Sequence, residues 1–323
     1  MHWNPTPAPG WNLSLISSPG QQEDHRPALH LESIFFNLET GISPMAMGDI
    51  FEATALMLDV QFGQASDFGK VRSNNEDAMG SFIPSSRQQA RSHGYLFAVA
   101  DGVGGLDLGE VASSRAISVL TEGFANAQAD TMLISLLPRL IQHANAAVHD
   151  CTLEREYRGK KMATTIVACA LRYDQAIVSH VGDSRCYLVR NGRARLITED
   201  HTLVNQQRKL GLISSVDVAE AETRHVLIRS LGPEMFVSPD TTAVTLQAGD
   251  TLVMCTDGLH DEMSEALIAE IVSQKKTMNE IARELVARAV DIDGGDNTTA
   301  QVIRIRSLEQ IGMYRGRPYR LPS

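Results

Sequence analysis

The chain has 323 residues, enough for two ordinary domains or for one large sandwich with extensions. Hydrophobic residues make up 43% of it and charged residues 21%, which excludes a membrane protein and a wholly disordered chain. The 39 acidic residues outnumber the 29 basic ones and give a formal net charge of -10, which repels phosphate backbones and anionic lipid. We therefore expect no nucleic acid and no membrane among the partners.

The remaining composition predicts a cytoplasmic protein. The four cysteines are spread through the chain without a C-x-x-C pair, as reduced thiols of a cytosolic protein would be. No stretch approaches about 18 apolar residues, and no basic residue leads into an apolar run at the N-terminus. Neither a spanning helix nor a secretory signal is expected.

Residues 1–55 are predicted to form a flexible proline-rich extension. Residues 1–30 hold five of the twelve prolines and both tryptophans, without a regular apolar period. Two interpretations stay open, a docking peptide that uses Trp3 and Trp11 or an unstructured leader. The more apolar segment 50–62 leads towards the first strand.

Strand-type and helix-type runs come in blocks beyond about residue 56. Short runs rich in β-branched or aromatic residues predict strands at 95–100, 164–171, 176–181, 185–189, 194–197 and 251–255. Helical periodicity predicts helices over 109–127 and 131–158, the second kinked or divided at Pro138. A further helix begins with a capping box that joins Thr277 and Glu280.

This order of elements does not fit a parallel βαβ array. Two long helices are followed by consecutive strands, and Asn191-Gly192 supplies a tight hairpin turn. We therefore predict an α+β fold with an antiparallel core and helices outside. Residues 307–323 are predicted to be a solvated basic C-terminal tail.

Five segments place acidic residues beside glycine or directly after an apolar run. They are Ser66-Asp67-Phe68-Gly69-Lys70-Val71-Arg72-Ser73-Asn74-Asn75-Glu76-Asp77, Asp101-Gly102-Val103-Gly104-Gly105, Gly182-Asp183-Ser184-Arg185, Asp257-Gly258-Leu259-His260-Asp261 and Gly294-Gly295-Asp296-Asn297-Thr298-Thr299. A carboxylate at the mouth of a buried strand costs on the order of several kcal/mol unless cations or hydrogen bonds compensate. One D-G pair alone is usually a turn, but five such segments predict a metal site. Oxygen ligands without a Cys or His cluster favour Mg²⁺ or Mn²⁺ over zinc.

The ordered set closely resembles the motifs of the metal-dependent serine/threonine protein phosphatases of the 2C type, bacterial branch. The resemblance spans roughly residues 60–306, so we expect a catalytic domain at 56–306 with a variable flap at about 199–239. It implies a four-layer α-β-β-α sandwich, two antiparallel sheets flanked by helices. It also implies a binuclear Mn²⁺ or Mg²⁺ centre at one end of the sandwich.

The same resemblance implies a role for each site residue. The implied ligands are Asp257 and Asp296 for one ion, Glu76, Asp77 and the carbonyl of Gly102 for the other, directly or through water, and Asp101 as a bridge between both. Asp183, with Asp257 and Asp261, matches a weaker third-metal site. Arg72 matches the arginine that binds the substrate phosphate.

The chemistry of phosphate ester hydrolysis requires these residue types. Two cations about 3.5–4 Å apart can activate a water for in-line attack on phosphorus and offset charge on the transition state. Arginine suits phosphoryl oxygens because its planar donors bind two oxygens while staying charged. We therefore predict hydrolysis of phosphoserine and phosphothreonine in proteins, by a monomer that opposes a bacterial serine/threonine kinase.

Three points stay open. Val103 stands where eukaryotic members carry a proton-donating histidine, so the general acid is unassigned, with His260 or a water on the metal as alternatives. Gly182-Asp183-Ser184 and Asp257-x-x-His260 also match parts of an esterase in which Ser184 is the nucleophile. A pseudoenzyme, finally, would keep the fold and use the cleft or the flap to bind proteins.

Overall fold

The computed structural model describes residues 58–104, 107–213 and 223–308, together with the backbone of 311–314 and 317–320. The predicted extension, residues 1–55, lies outside this part of the chain, as do residues 214–222 of the predicted flap. No helix in the described ranges combines the length and the apolar character that crossing a bilayer requires.

Antiparallel strands form the core of the fold. Their bounds are β1 Asp59–Asp67, β2 Asp77–Phe82, β3 Tyr95–Asp101, β4 Ile166–Arg172, β5 Gln175–Val181, β6 Arg185–Arg190, β7 Arg193–Leu196, β8 Asp240–Thr245, β9 Thr251–Cys255, β10 Thr298–Ser307, β11 Ile311–Tyr314 and β12 Arg317–Arg320. The first sheet has the order β1-β10-β9-β6-β7 and the second has the order β2-β3-β4-β5-β8. In the segment predicted to be a basic tail, β11 and β12 pair as a hairpin.

Helices cover the outer faces of both sheets. Their bounds are α1 Arg87–Ser92, α2 Gly109–Ala125, α3 Leu133–Cys151, α4 Leu203–Lys209, α5 Asp257–His260, α6 Glu265–Val272 and α7 Met278–Ile292. The apolar faces of α2 and α3 pack on the second sheet, and those of α6 and α7 pack on the first. The predicted four-layer α-β-β-α sandwich of the α+β class is therefore confirmed.

The side chains of β3 pack alternately against the other sheet and against the helices. Phe97 and Val99 face the other sheet and belong to the same cluster as Met254, whereas Leu96 and Ala98 face the helices. Successive side chains of a strand point to opposite faces of the sheet. Because both faces of this strand are buried, its sequence is an uninterrupted apolar run.

Pro138 was predicted to kink or divide the second long helix, and it does not divide it. Helix α3 runs unbroken across Pro138 and ends at Cys151, seven residues before the predicted 158. A proline inside a helix costs about 3 kcal/mol because it removes one backbone hydrogen bond. Leu137 and Ile141 on its packed face are fully buried, and burying each such side chain contributes roughly 1.5–3 kcal/mol. Packing against the sheet therefore offsets the local cost.

Two local predictions are confirmed. Asn191 and Gly192 both have positive φ, 52° and 71°, and they join β6 to β7 as a two-residue hairpin turn. Thr277 and Glu280 form a reciprocal capping box at the start of α7. Both features depend on a few neighbouring residues, which is why the sequence suffices to predict them.

Candidate functional site

Acidic side chains collect at one edge of the sandwich, where strands of both sheets begin or end. Asp101 is the last residue of β3 and pairs across the ladder with Asp77, the first residue of β2. In the other sheet, Asp257 follows β9 after one residue and Asp296 precedes β10. The carboxyl groups of Asp77 and Asp257 are both near enough to Asp101 to raise its pKa. Strands that are distant in sequence therefore bring their acids close together.

The acids open onto a cleft of about 450 Å³. The predicted site residues that line it are Arg72, Asp101, Gly102, Asp183, Asp257, Asp261 and Asp296. Glu76 and Asp77 are not among the lining residues, but the charge of Asp296, which does line the cleft, acts on both. The Glu76 carboxylate lies against Gly109 at the N-terminus of α2, where a Cβ would be 3.1 Å from its Oε2. Every predicted site residue thus lines this cleft or interacts with a residue that lines it.

Two carboxylate oxygens in this cluster, Asp77 Oδ1 and Asp257 Oδ1, are buried and find no hydrogen-bond partner among the described residues. The other oxygen of Asp77 accepts a hydrogen bond of 2.9 Å from Thr256 Oγ1. Leaving a buried acceptor unpaired costs about 1–3 kcal/mol, and more when it is charged. A bound cation would supply the partner that both oxygens lack.

Burial and neighbouring acids raise the pKa values of these carboxyl groups. Burial, together with Asp257 and Asp296, raises the pKa of Asp77 to about 7. Burial and Asp257 likewise raise the pKa of Asp183 to about 7, and burial with three acidic neighbours raises the pKa of Asp101 well above its ordinary value. Burial also raises the pKa of Asp257. Each of these shifts favours the protonated form of the carboxyl group, and a bound cation would favour the ionised form instead.

The donor atoms of the cleft suit a hard divalent cation, because they are carboxylate and carbonyl oxygens. Within the described ranges, no three acidic, histidine or cysteine side chains form a group that could hold an ion unaided. An ion in this cleft would therefore complete its coordination with water or with a backbone carbonyl such as that of Gly102. Mg²⁺ in proteins commonly keeps several waters in this way.

Arg72 approaches the acids from the loop between β1 and β2. Its Nη2 donates a hydrogen bond of 2.7 Å to Asp296 Oδ2. The second oxygen of Asp296 accepts the backbone N–H of Asn297 at 2.8 Å, which fixes the orientation of the carboxylate. The Arg72 side chain is 37% exposed, so its guanidinium remains accessible to an anion that enters the cleft.

Asn297 holds the loop that carries Arg72 and Glu76. In the sequence it was only a member of the fifth segment, without a role of its own. Its Nδ2 donates to the backbone carbonyls of Phe68 and Asn74 at 3.1 and 2.9 Å. Its Oδ1 accepts the backbone N–H of Glu76 at 2.7 Å. A side-chain amide can both donate and accept in this way, and Asn297 is buried.

His225 reaches the cleft from the flap, and the sequence analysis did not identify it. Its Nε2 lies 3.5 Å from Asp261 Oδ2 and its Nδ1 lies 3.9 Å from Asp257 Oδ2. The imidazole is 47% exposed and lines the cleft. The available signal was weak, since a lone histidine in an irregular segment is usually a solvated residue.

The geometry does not support the esterase alternative. Ser184 is buried, and its Oγ forms a hydrogen bond of 2.7 Å with Thr165 Oγ1. The Nε2 of His260 lies 3.1 Å from the carbonyl oxygen of Asp183 instead of contacting the serine. The His260 side chain is only 3% exposed, so it is also poorly placed to donate a proton in the cleft.

Comparisons with known proteins agree with this architecture. A Listeria innocua protein named serine/threonine phosphatase stp is 35% identical over 250 residues, which cover 76% of this chain and 96% of the relative. The crystal structure of the Mycobacterium tuberculosis serine/threonine phosphatase PstP/Ppp has a TM-score of 0.67 and 31% identity, covering 76% of this chain and 99% of that one. A catalytic domain of serine/threonine phosphatase PstP in complex with two manganese ions has a TM-score of 0.64 and 30% identity, covering 77% and 99%. Residues 70–289, more than half of the chain, match the family Protein phosphatase 2C, and the chain therefore belongs to that family.

Proposed function

We propose that the cleft hydrolyses phosphoserine and phosphothreonine monoesters in proteins with two divalent cations, Mn²⁺ or Mg²⁺. The observation that carries this proposal is the pair of buried, unpartnered oxygens on Asp77 and Asp257, since cations would satisfy them and hold the acids ionised. The two manganese ions of the PstP relative support the same stoichiometry. When bound, such ions neutralise charge on the phosphoryl group and activate a water molecule.

The proposed ligands come from both sheets. We assign Asp257 and Asp296 to one ion, Glu76, Asp77 and the Gly102 carbonyl to the other, directly or through water, Asp101 to both, and Asp183 with Asp261 to a weaker third ion. Thr256 donates to one oxygen of Asp77, and within the described residues the second oxygen is left without a partner, which an ion could supply. Residues outside the ligand set thus orient it, as is common around metal sites.

Arg72 is the proposed phosphate-binding residue. Its side chain lies beside Asp296 and is partly exposed on the cleft, so a phosphate held by it would lie next to the acids. A guanidinium presents five N–H donors in a fixed plane and stays charged at any pH the protein tolerates. Val103 lines the same cleft but has no proton to donate, which leaves a water molecule as the favoured proton donor to the leaving group.

We also infer a monomer in the cytoplasm that reverses the action of a serine/threonine kinase. All four cysteines are free and buried, as expected where thiols stay reduced. Phosphorylated proteins are the substrates that this proposal requires. Size-exclusion chromatography with light scattering would measure the oligomeric state directly.

The test of the proposed function is turnover of p-nitrophenyl phosphate and of a phosphothreonine peptide. We expect turnover with Mn²⁺ or Mg²⁺ and its loss on chelation. Folded protein without metal-dependent turnover would instead indicate a pseudoenzyme. Chelator-insensitive ester hydrolysis that Ser184→Ala abolishes would indicate an esterase.

A further inference from the structure

Gly104 lies unusually close to the guanidinium of Arg72. A Cβ added to Gly104 would lie 3.1 Å from Nη1, 3.2 Å from Nη2 and 3.6 Å from Cζ of Arg72. Carbon atoms in ordinary contact are about 3.5–4.0 Å apart. A methyl group at Gly104 would therefore be tight against both terminal nitrogens, and the guanidinium would have to shift by a few tenths of an ångström. Because the two nitrogens are almost equally distant and Cζ is farther away, this position faces the open end of the guanidinium fork.

The backbone at this position does not itself require glycine. Gly104 is absent from the glycines with positive φ, which include Gly69 and Gly294 in the same region of the cleft. An alanine could therefore adopt the same φ without the strain that positive values impose on other residues. Because Gly104 has no side chain, there is room beside its backbone for Nη1 and Nη2 of Arg72.

The guanidinium is held from a second direction by Asp296. Nη2 donates to Asp296 Oδ2 at 2.7 Å, and the backbone N–H of Asn297 holds the other oxygen of that carboxylate at 2.8 Å. The contact with Gly104 thus limits how far the guanidinium extends, and the hydrogen bond to Asp296 fixes its orientation. A small displacement of the group would change the position of every N–H that it offers to a phosphate.

We propose that Gly104 is a positioning residue for phosphate recognition, because its missing side chain lets the Arg72 fork close onto this loop. This inference rests on the proposed function, in which Arg72 binds the phosphoryl oxygens. Gly104 acts through Arg72 and contributes no group of its own to the reaction. Its replacement should therefore weaken phosphate binding and leave the metal ligands in place.

The first measurement is the kinetics of Gly104→Ala with p-nitrophenyl phosphate and saturating Mn²⁺. We expect KM, and the inhibition constant of inorganic phosphate, to rise together by roughly three- to tenfold, because displacing a binding group by a fraction of an ångström weakens it. We expect kcat and the rise in Tm on adding Mn²⁺ to stay close to wild type. Val71→Ala is the matched control, since Val71 neighbours Arg72 but its side chain is 75% exposed.

A double-mutant cycle separates this role from a general effect on the loop. Arg72→Ala removes the group that Gly104 accommodates, so adding Gly104→Ala to it should change KM and phosphate inhibition no further. An equal loss from Gly104→Ala in both backgrounds would show that Gly104 acts independently of Arg72. A lower kcat together with a smaller Mn²⁺-induced rise in Tm would show damage to the metal site, and either result overturns the proposal.

The wild-type enzyme separates failure of this inference from failure of the proposed function. If the wild type shows no metal-dependent turnover, or if Arg72→Ala leaves KM and phosphate inhibition unchanged, the proposed function or the role of Arg72 is wrong. If both behave as proposed and Gly104→Ala matches wild type, only the positioning role of Gly104 is wrong.

Discussion

The floor of the cleft and its flap are built in different ways. The floor consists of Asp77, Asp101, Asp257 and Asp296, each at the end of a strand or within two residues of one. The apolar faces of those strands are buried, so the backbone that carries each carboxylate has little freedom to move. The positions of these four carboxylates therefore depend on the packing of the whole sandwich.

The flap combines buried residues such as Leu231 with apolar side chains that stay exposed. Its described parts are joined by backbone hydrogen bonds such as those from Leu203 to Val226, 2.8 Å, and from Ile228 to His201, 2.9 Å. Leu210 and Leu212 expose 67% and 69% of their surface. From this contrast we expect changes at exposed positions of the flap to leave the acids of the floor in place.

The largest expected effect comes from breaking the floor. We expect Asp101→Asn and Asp257→Asn each to lower metal-dependent kcat by at least about a thousandfold, because binuclear catalysis contributes several kcal/mol of charge stabilisation. Circular dichroism should show the wild-type fold in both variants. Near-wild-type turnover in either would contradict the ligand assignment.

A smaller effect should follow from releasing the loop that carries Arg72. Asn297→Ala leaves three backbone groups without their partner, and we expect the free energy of unfolding to fall by about 2–4 kcal/mol and apparent Mn²⁺ affinity to fall about 10- to 100-fold. Urea denaturation and metal titration measure the two quantities. Asn279→Ala, at an exposed hydrogen bond of 3.4 Å, is the matched control and should change neither. Equal behaviour of the two variants would contradict the role of Asn297.

The floor should also give the metal-free protein a characteristic pH dependence. The pKa of Asp77 is about 7 in the folded protein against an ordinary 3.8, so between these values the folded state holds a proton that the unfolded chain has lost. The stability that this proton confers is present at low pH and is lost as the pH rises towards 7. Metal-free Asp77→Asn should therefore gain Tm relative to wild type from pH 4 to pH 7.5.

Metal provides the control for that experiment. Saturating Mn²⁺ should raise the Tm of the wild type at pH 7.5 more than that of Asp77→Asn, because cations replace the proton only where the carboxylate remains. If the Tm difference between wild type and Asp77→Asn stays constant with pH, with and without Mn²⁺, then the neighbours of Asp77 do not raise its pKa.

The smallest expected effect lies in the flap. Replacing Leu210 and Leu212 by serine should change stability by less than about 0.5 kcal/mol, because both side chains are already largely exposed. We expect turnover of p-nitrophenyl phosphate to stay at the wild-type level while KM for phosphopeptides changes a few-fold. A comparable loss with both substrates would mean that the flap contributes to the chemistry, which would remove the contrast with the floor.

Much of the fold and the site could be predicted from local patterns. Alternating or continuous apolar runs indicate strands such as β3 and β9, and the Thr277 capping box marks the start of α7. The helix continues across Pro138 because the burial of a whole helix face, which local propensity does not count, offsets one lost hydrogen bond. His225 was missed because its contacts with Asp257 and Asp261 depend on how the flap lies over the core.

The sequence by itself identified the candidate acids of the cleft, because an acid beside glycine or at the end of an apolar run is a local pattern. Only the tertiary structure decided that Asp77 accepts a hydrogen bond from Thr256, 179 positions away, while its other oxygen is left without a partner. The same packing decided that the Arg72 fork meets the bare backbone of Gly104. Desolvation and hydrogen-bond supply depend on which distant strands and loops come together, and no local pattern contains that information.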